Sequence, residues 1–89
     1  MGLKTFLLRG RLQRLEREEK RLHHLQRRVR DRLEDLAGER KKGALDAAAF
    51  EAKRAKLEQE RHQLVEKLKA IEAQARALRA ELRGAEAAA

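Results

Sequence analysis

Leu8, Leu15, Leu22, Val29 and Leu36 recur at every seventh residue in the first half of the chain, and Phe50, Leu57, Leu64, Ile71 and Leu78 do the same in the second. Taken as the d positions of heptads, they are wholly apolar. The a positions, three residues before each d, are mixed. They read Leu12, Glu19, Gln26 and Leu33 in the first run, then Ala47, Arg54, Arg61, Leu68, Ala75 and Leu82 in the second. A sustained seven-residue apolar repeat pairs helices along a seam, with left-handed supercoiling. The amphipathic helix of an ordinary globular core carries a wider and less regular stripe. The pattern therefore predicts two long helices that pair.

The break between the runs is built to reverse direction. Arg40, Lys41 and Lys42 place positive charge where the first helix ends, favourable against its dipole. Gly43 can take the left-handed conformation just beyond that end. Asp46 suits the N-cap of the second helix, with Leu45 and Phe50 at the two positions of a hydrophobic staple; Ala49 stands where a capping box would need Glu or Gln. Gly38 is a competing stop for the first helix and Gly84 a stop for the second. The expected bounds are helix 1 over about 3–42, a turn at 43–46, helix 2 over about 47–83 and a frayed tail at 84–89. Each helix then runs about 55 to 60 Å at 1.5 Å per residue.

So short a connection makes the helices antiparallel neighbours. The predicted fold class is all-α: an antiparallel two-helix coiled-coil hairpin. Folding about Gly43 sets Leu36 against Phe50, Val29 against Leu57, Leu22 against Leu64, Leu15 against Ile71 and Leu8 against Leu78; a slip of a few residues toward the a-to-d layering of antiparallel coils serves equally. A single continuous helix is the rival, and Gly38 and Gly43 would each cost it about 1 kcal/mol. Apolar residues left beside the seam include Leu3, Phe6 and Leu7, then Leu25, Val65 and a strip of Ala70, Ala73, Ala77 and Ala80. A homodimer forming a four-helix bundle, or docking on another helical protein, would bury them.

The stretch "GALDAAAFEAKRAKL" resembles the turn of the short helical-hairpin modules called SHOCT domains, and similar turns occur in gas vesicle protein G. That pattern is close to G-x-[IL]-[TSD]-x-x-E-F-x-x-K-[KR]-x-x-L, and Gly43, Leu45, Asp46, Phe50, Lys53, Arg54 and Leu57 fit it; Ala49 stands where the family has an acid. The resemblance covers residues 43–57 and leaves the N-terminal half unassigned. It implies a hairpin used for oligomerisation or as an appended interaction module, and no catalysis.

Composition narrows the classes. The chain has 89 residues, no Pro, Trp or Cys, and only two Phe. Charged residues make up 43%, and the Ala-, Leu-, Glu-, Lys- and Arg-rich mixture is that of long helices. Without Cys there is no disulfide framework and no thiolate metal site. Arg9 interrupts the opening apolar run too early for a secretory signal, and Phe6 stands where myristoylation favours Ser or Thr. A cytoplasmic, soluble protein is expected.

Charge is divided unequally. Residues 1–43 carry a net +7 of the chain's +8. On the outer face of the first helix lie Arg14, Arg17, Lys20, Arg21, Arg27 and Arg28, with no acid at the outward positions between Gln13 and Arg28. Six positive charges over about 21 Å of helix could follow a phosphate backbone, an anionic membrane surface or an acidic protein. With no Tyr or Trp to stack on bases, nucleic-acid binding of this kind would be directed at the backbone and blind to sequence.

Other chemistry is thinly represented. His23 and His24 are adjacent and so about 100° apart on a helix, which prevents them chelating as a pair; His62 lies on the other helix. No metal, cofactor or small-molecule substrate is expected. Glu19, Gln26, Arg54 and Arg61 read as polar seam residues that specify register. No nucleophile elbow, phosphate loop or paired-carboxylate arrangement occurs, so no catalytic residues are assigned. Leu3, Phe6 and Leu7, ringed by Lys4, Arg9 and Arg11, form a docking surface or an interfacial membrane anchor. The leading expectation is a non-enzymatic coiled-coil scaffold or adaptor acting through self-association or another helical protein. The alternatives are a basic, sequence-nonspecific nucleic-acid-binding protein and a peripheral membrane protein.

Overall fold

A computed structural model describes residues 2–88. Two helices, α1 (Leu3–Lys41) and α2 (Ala47–Ala88), pack as a hairpin, and no strand occurs among the described residues. The molecule measures 65 × 15 × 15 Å, the length of one helix and the width of two. None of the described helices is long and apolar enough to cross a membrane.

The reversal uses the residues the sequence pointed to. Lys42 caps α1, and Gly43 beyond it has φ 78°. The Gly43 N–H donates to the Arg40 carbonyl at 3.1 Å and the Ala44 N–H to the Glu39 carbonyl at 2.9 Å. This is the paired bonding of a Schellman motif, which satisfies carbonyls that the helix end would otherwise leave bare. The Arg40 guanidinium adds a bond to the Leu45 carbonyl at 3.1 Å. On the far side, Asp46 Oδ1 accepts from the Ala49 N–H at 2.8 Å, the N-cap geometry. Leu45 and Phe50 are both half-buried.

Two expected stops do not act. α1 passes through Gly38, whose carbonyl accepts the Lys42 N–H at 3.0 Å. α2 does not end before Gly84 but continues to Ala88, so the expected tail at 84–89 is helical as far as the described residues reach. The cost of one helical Gly, about 1 kcal/mol relative to Ala, is offset by strong helix formers around it (Ala85, Ala87, Ala88).

The seam also departs from a simple d-to-d match. α1 buries its d spine at Leu8, Leu22, Val29 and Leu36, with Leu15 half-buried. α2 instead buries the a positions Leu68, Ala75 and Leu82 together with Leu78, whereas Phe50, Leu57, Leu64 and Ile71 are only half-buried. Leu8, Leu78 and Leu82 form one cluster, with Leu12 and Leu15 packed against it. Toward the turn, Val29 shares a groove with Leu64, and Leu36 shares one with Leu57. The pairing has thus slipped toward a-to-d layering. The physical reason lies in α2: its apolar a positions beyond the first turn, Leu68, Ala75 and Leu82, enter the seam, while Ala47 at the turn stays exposed. Where the a position is Arg54 or Arg61, a guanidinium that stays in solvent, no residue of that helix segment is buried.

Candidate functional site

Three surfaces can be built from these elements: a cationic face on α1, an apolar patch at the open end of the hairpin, and a ligand-type cluster across the seam.

The cationic face follows from outward heptad positions that carry no apolar residue. Arg14, Arg17, Lys20, Arg21, Arg27 and Arg28 are all exposed. Arg21 is engaged within its own helix: its Nε donates to Glu18 Oε2 at 3.0 Å. That hydrogen bond holds the Glu18 carboxyl below the usual carboxylate range and raises Arg21. Among the described residues the other five make no ion pair. The face also wraps round the helix. Arg27 lines one groove with His23, Arg30 and Arg61, while Arg28 lines another with Arg32, Glu60 and Lys67. Arg30 and Arg61, outside the predicted stripe, extend its reach; only the helix register reveals this, because Arg61 belongs to α2.

The apolar patch lies where the start of α1 meets the end of α2. Leu3, Phe6 and Leu7 are 71%, 73% and 53% exposed, and their i, i+3, i+4 spacing puts them on one helix face. Leu3 and Leu7 line a groove with Leu8, Lys4, Arg11, Arg14 and Glu81. Leu8 belongs at the same time to the buried cluster with Leu78 and Leu82, so the patch continues the core to the surface. The alanine strip, Ala70, Ala73, Ala77 and Ala80, is exposed along α2. Leu25 and Val65 are half-buried and already partly used by the hairpin.

The cross-seam cluster escaped the sequence reading. Glu19 and His23 of α1 and Glu72 of α2 bring one ligand-type atom each to within 4.8 Å of one another. The Glu-x-x-x-His spacing within α1 was available as a signal, since residues four apart share a helix face; Glu72 depended on the register. Arg54 and Arg61, expected as polar seam residues, pair with Glu51 and Glu58 of their own helix. His24 and His62 are exposed and stand outside this cluster.

Compared with family models, curated proteins and solved structures, the chain matches none of them.

Proposed function

We propose that the protein is a non-enzymatic coiled-coil scaffold or adaptor that works by association of helices, in the first place with a second copy of itself. The observation that carries this reading is the exposure of Leu3, Phe6 and Leu7 at 71%, 73% and 53%, directly continuous with the Leu8, Leu78 and Leu82 cluster. A two-helix seam buries little, and a second hairpin laid against the patch would make a four-helix bundle. The resemblance of residues 43–57 to SHOCT hairpins supports the same role. Sedimentation equilibrium tests it. The unmodified chain should sediment as a dimer, and the triple variant Leu3→Ser, Phe6→Ser, Leu7→Ser as a helical monomer. An unmodified chain that is monomeric at every concentration contradicts self-association.

A second reading rests on a separate observation, the exposed Arg14, Arg17, Lys20, Arg27 and Arg28 of the α1 face, which make no ion pair among the described residues. It makes the protein a binder of nucleic-acid backbone, with an affinity that falls steeply with salt. Titration of duplex DNA and RNA at about 50 and 200 mM salt should show binding at the lower concentration. Replacement of Arg14, Arg17, Arg21 and Arg28 by Gln should abolish that binding and leave any dimer intact. No binding at the lower salt removes this reading. The liposome counterpart is the same protein with and without residues 1–10 on anionic vesicles, where only a membrane anchor in that segment would make the truncated form detach.

A further inference from the structure

We infer that Glu19, His23 and Glu72 form a site for one divalent transition-metal ion of the zinc type, held between the two helices. The three side chains converge from both elements, with their ligand atoms within 4.8 Å of one another. Glu19 and His23 stand one turn apart on the same face of α1, the spacing at which a helix offers two ligands to one ion. Glu72 closes the set from α2. Zinc lies about 2.0 to 2.2 Å from imidazole nitrogen and carboxylate oxygen, so tetrahedral ligation needs ligand atoms about 3.4 Å apart. Small rotations of the exposed His23 and the half-buried Glu19 and Glu72 side chains would supply that contraction.

Charge is the second argument. Glu19 and Glu72 are half-buried in a chain of net charge +8, yet neither has a cationic partner among the described residues. Neighbouring acids do: Glu16 meets Arg79 at 3.8 Å, Glu18 meets Arg21, and Glu66 meets Lys69 at 3.6 Å. The residues three and four places from Glu19 on its own helix include no Lys or Arg; Glu72 has Lys69 and Arg76 at those places, of which Lys69 pairs with Glu66 and Arg76 forms no ion pair among the described residues. The His23 ring forms no ion pair with either carboxylate. Two carboxylates drawn together across a seam repel, and a dication between them turns that repulsion into binding.

The imidazole is already oriented. His23 Nδ1 lies 3.2 Å from Gln26 Oε1. With the Gln26 amide oxygen facing the ring, the tautomer that suits this contact has Nδ1 donating and the Nε2 lone pair free for a metal. Fixing the tautomer through the other ring nitrogen is the usual support of a ligating histidine. One nitrogen and two oxygens, with no sulfur, suit Zn²⁺, Co²⁺ or Ni²⁺; Mg²⁺ and Ca²⁺ require more oxygen ligands. Three protein ligands leave a fourth position for water.

The test is isothermal titration of the chelator-washed full chain with Zn²⁺ in excess Mg²⁺, with helicity followed by circular dichroism. The site predicts one ion per chain. Glu19→Gln, His23→Gln and Glu72→Gln should each weaken binding at least tenfold without loss of helix, whereas His24→Gln should not. Because the ligands span both helices, zinc should raise the melting temperature of the unmodified protein and not that of Glu72→Gln. Absence of binding, one ion per two chains, unchanged affinity in Glu72→Gln, or equal losses in His23→Gln and His24→Gln would each overturn the site.

Discussion

Arg9, near the start of α1, and Glu86, near the end of α2, meet at 2.8 Å across the open end of the hairpin. The pair lies beyond Gly84, where α2 had been expected to stop, and ties the last turns of that helix to the first turns of the other. It also brings the last turns of α2 to the end of the hairpin that carries the exposed Leu3, Phe6 and Leu7, so the surface with the most apolar exposure among the described residues is also where the start of α1 meets the end of α2.

Despite its geometry the pair is solvent-exposed, and exposed pairs contribute little. Glu86→Gln should therefore cost no more than about 0.5 kcal/mol, and the difference should shrink as salt screens it. Urea unfolding at low and high salt checks this.

The glycines should respond with opposite signs. Gly43 sits at φ 78° with nothing within 4 Å of where a Cβ would be, so Gly43→Ala costs only the left-handed backbone, about 1 to 2 kcal/mol. Gly84 is helical and equally unobstructed, so Gly84→Ala should stabilise by about 0.5 to 1 kcal/mol. Thermal melts of the two variants followed by circular dichroism separate these outcomes.

Asp46 caps α2 by accepting at Oδ1 from the Ala49 N–H at 2.8 Å. Asp46→Ala should destabilise by about 1 kcal/mol, and Asp46→Asn should keep most of that stability. Equal losses in both variants would show that capping is not the cause.

Core depth differs along the hairpin. Leu22 is 1% exposed, and Leu22→Ala should cost about 3 kcal/mol. Leu64 is half-buried beside the groove it shares with Val29, and Leu64→Ala should cost clearly less. Denaturant midpoints give the comparison, and equal losses would contradict the slipped seam.

The hairpin and its turn were legible because their causes are local: a seven-residue apolar repeat, a glycine after a basic helix end, and an aspartate before an apolar run. The relative rotation of the helices was not. Each repeat is visible by itself, but whether Leu68, Ala75 and Leu82 or the d spine of α2 enters the seam depends on how the two repeats interleave. The same limit hid Glu72 from Glu19 and His23, and Arg61 from Arg27. Gly84 misled for a different reason: a single glycine penalty is smaller than the combined helix preference of its alanine-rich surroundings and the tertiary pairing of Glu86.

Every surface described above depends on the chain folding back on itself. Since it contains no Cys, spin labels can be placed uniquely through Arg9→Cys and Glu86→Cys, and the distance between them measured by pulsed electron resonance in an excess of unlabelled protein. The hairpin predicts an intrachain distance under about 30 Å, the width of two packed helices plus the labels. A distance near about 115 Å, that of one continuous helix at 1.5 Å per residue, would contradict it.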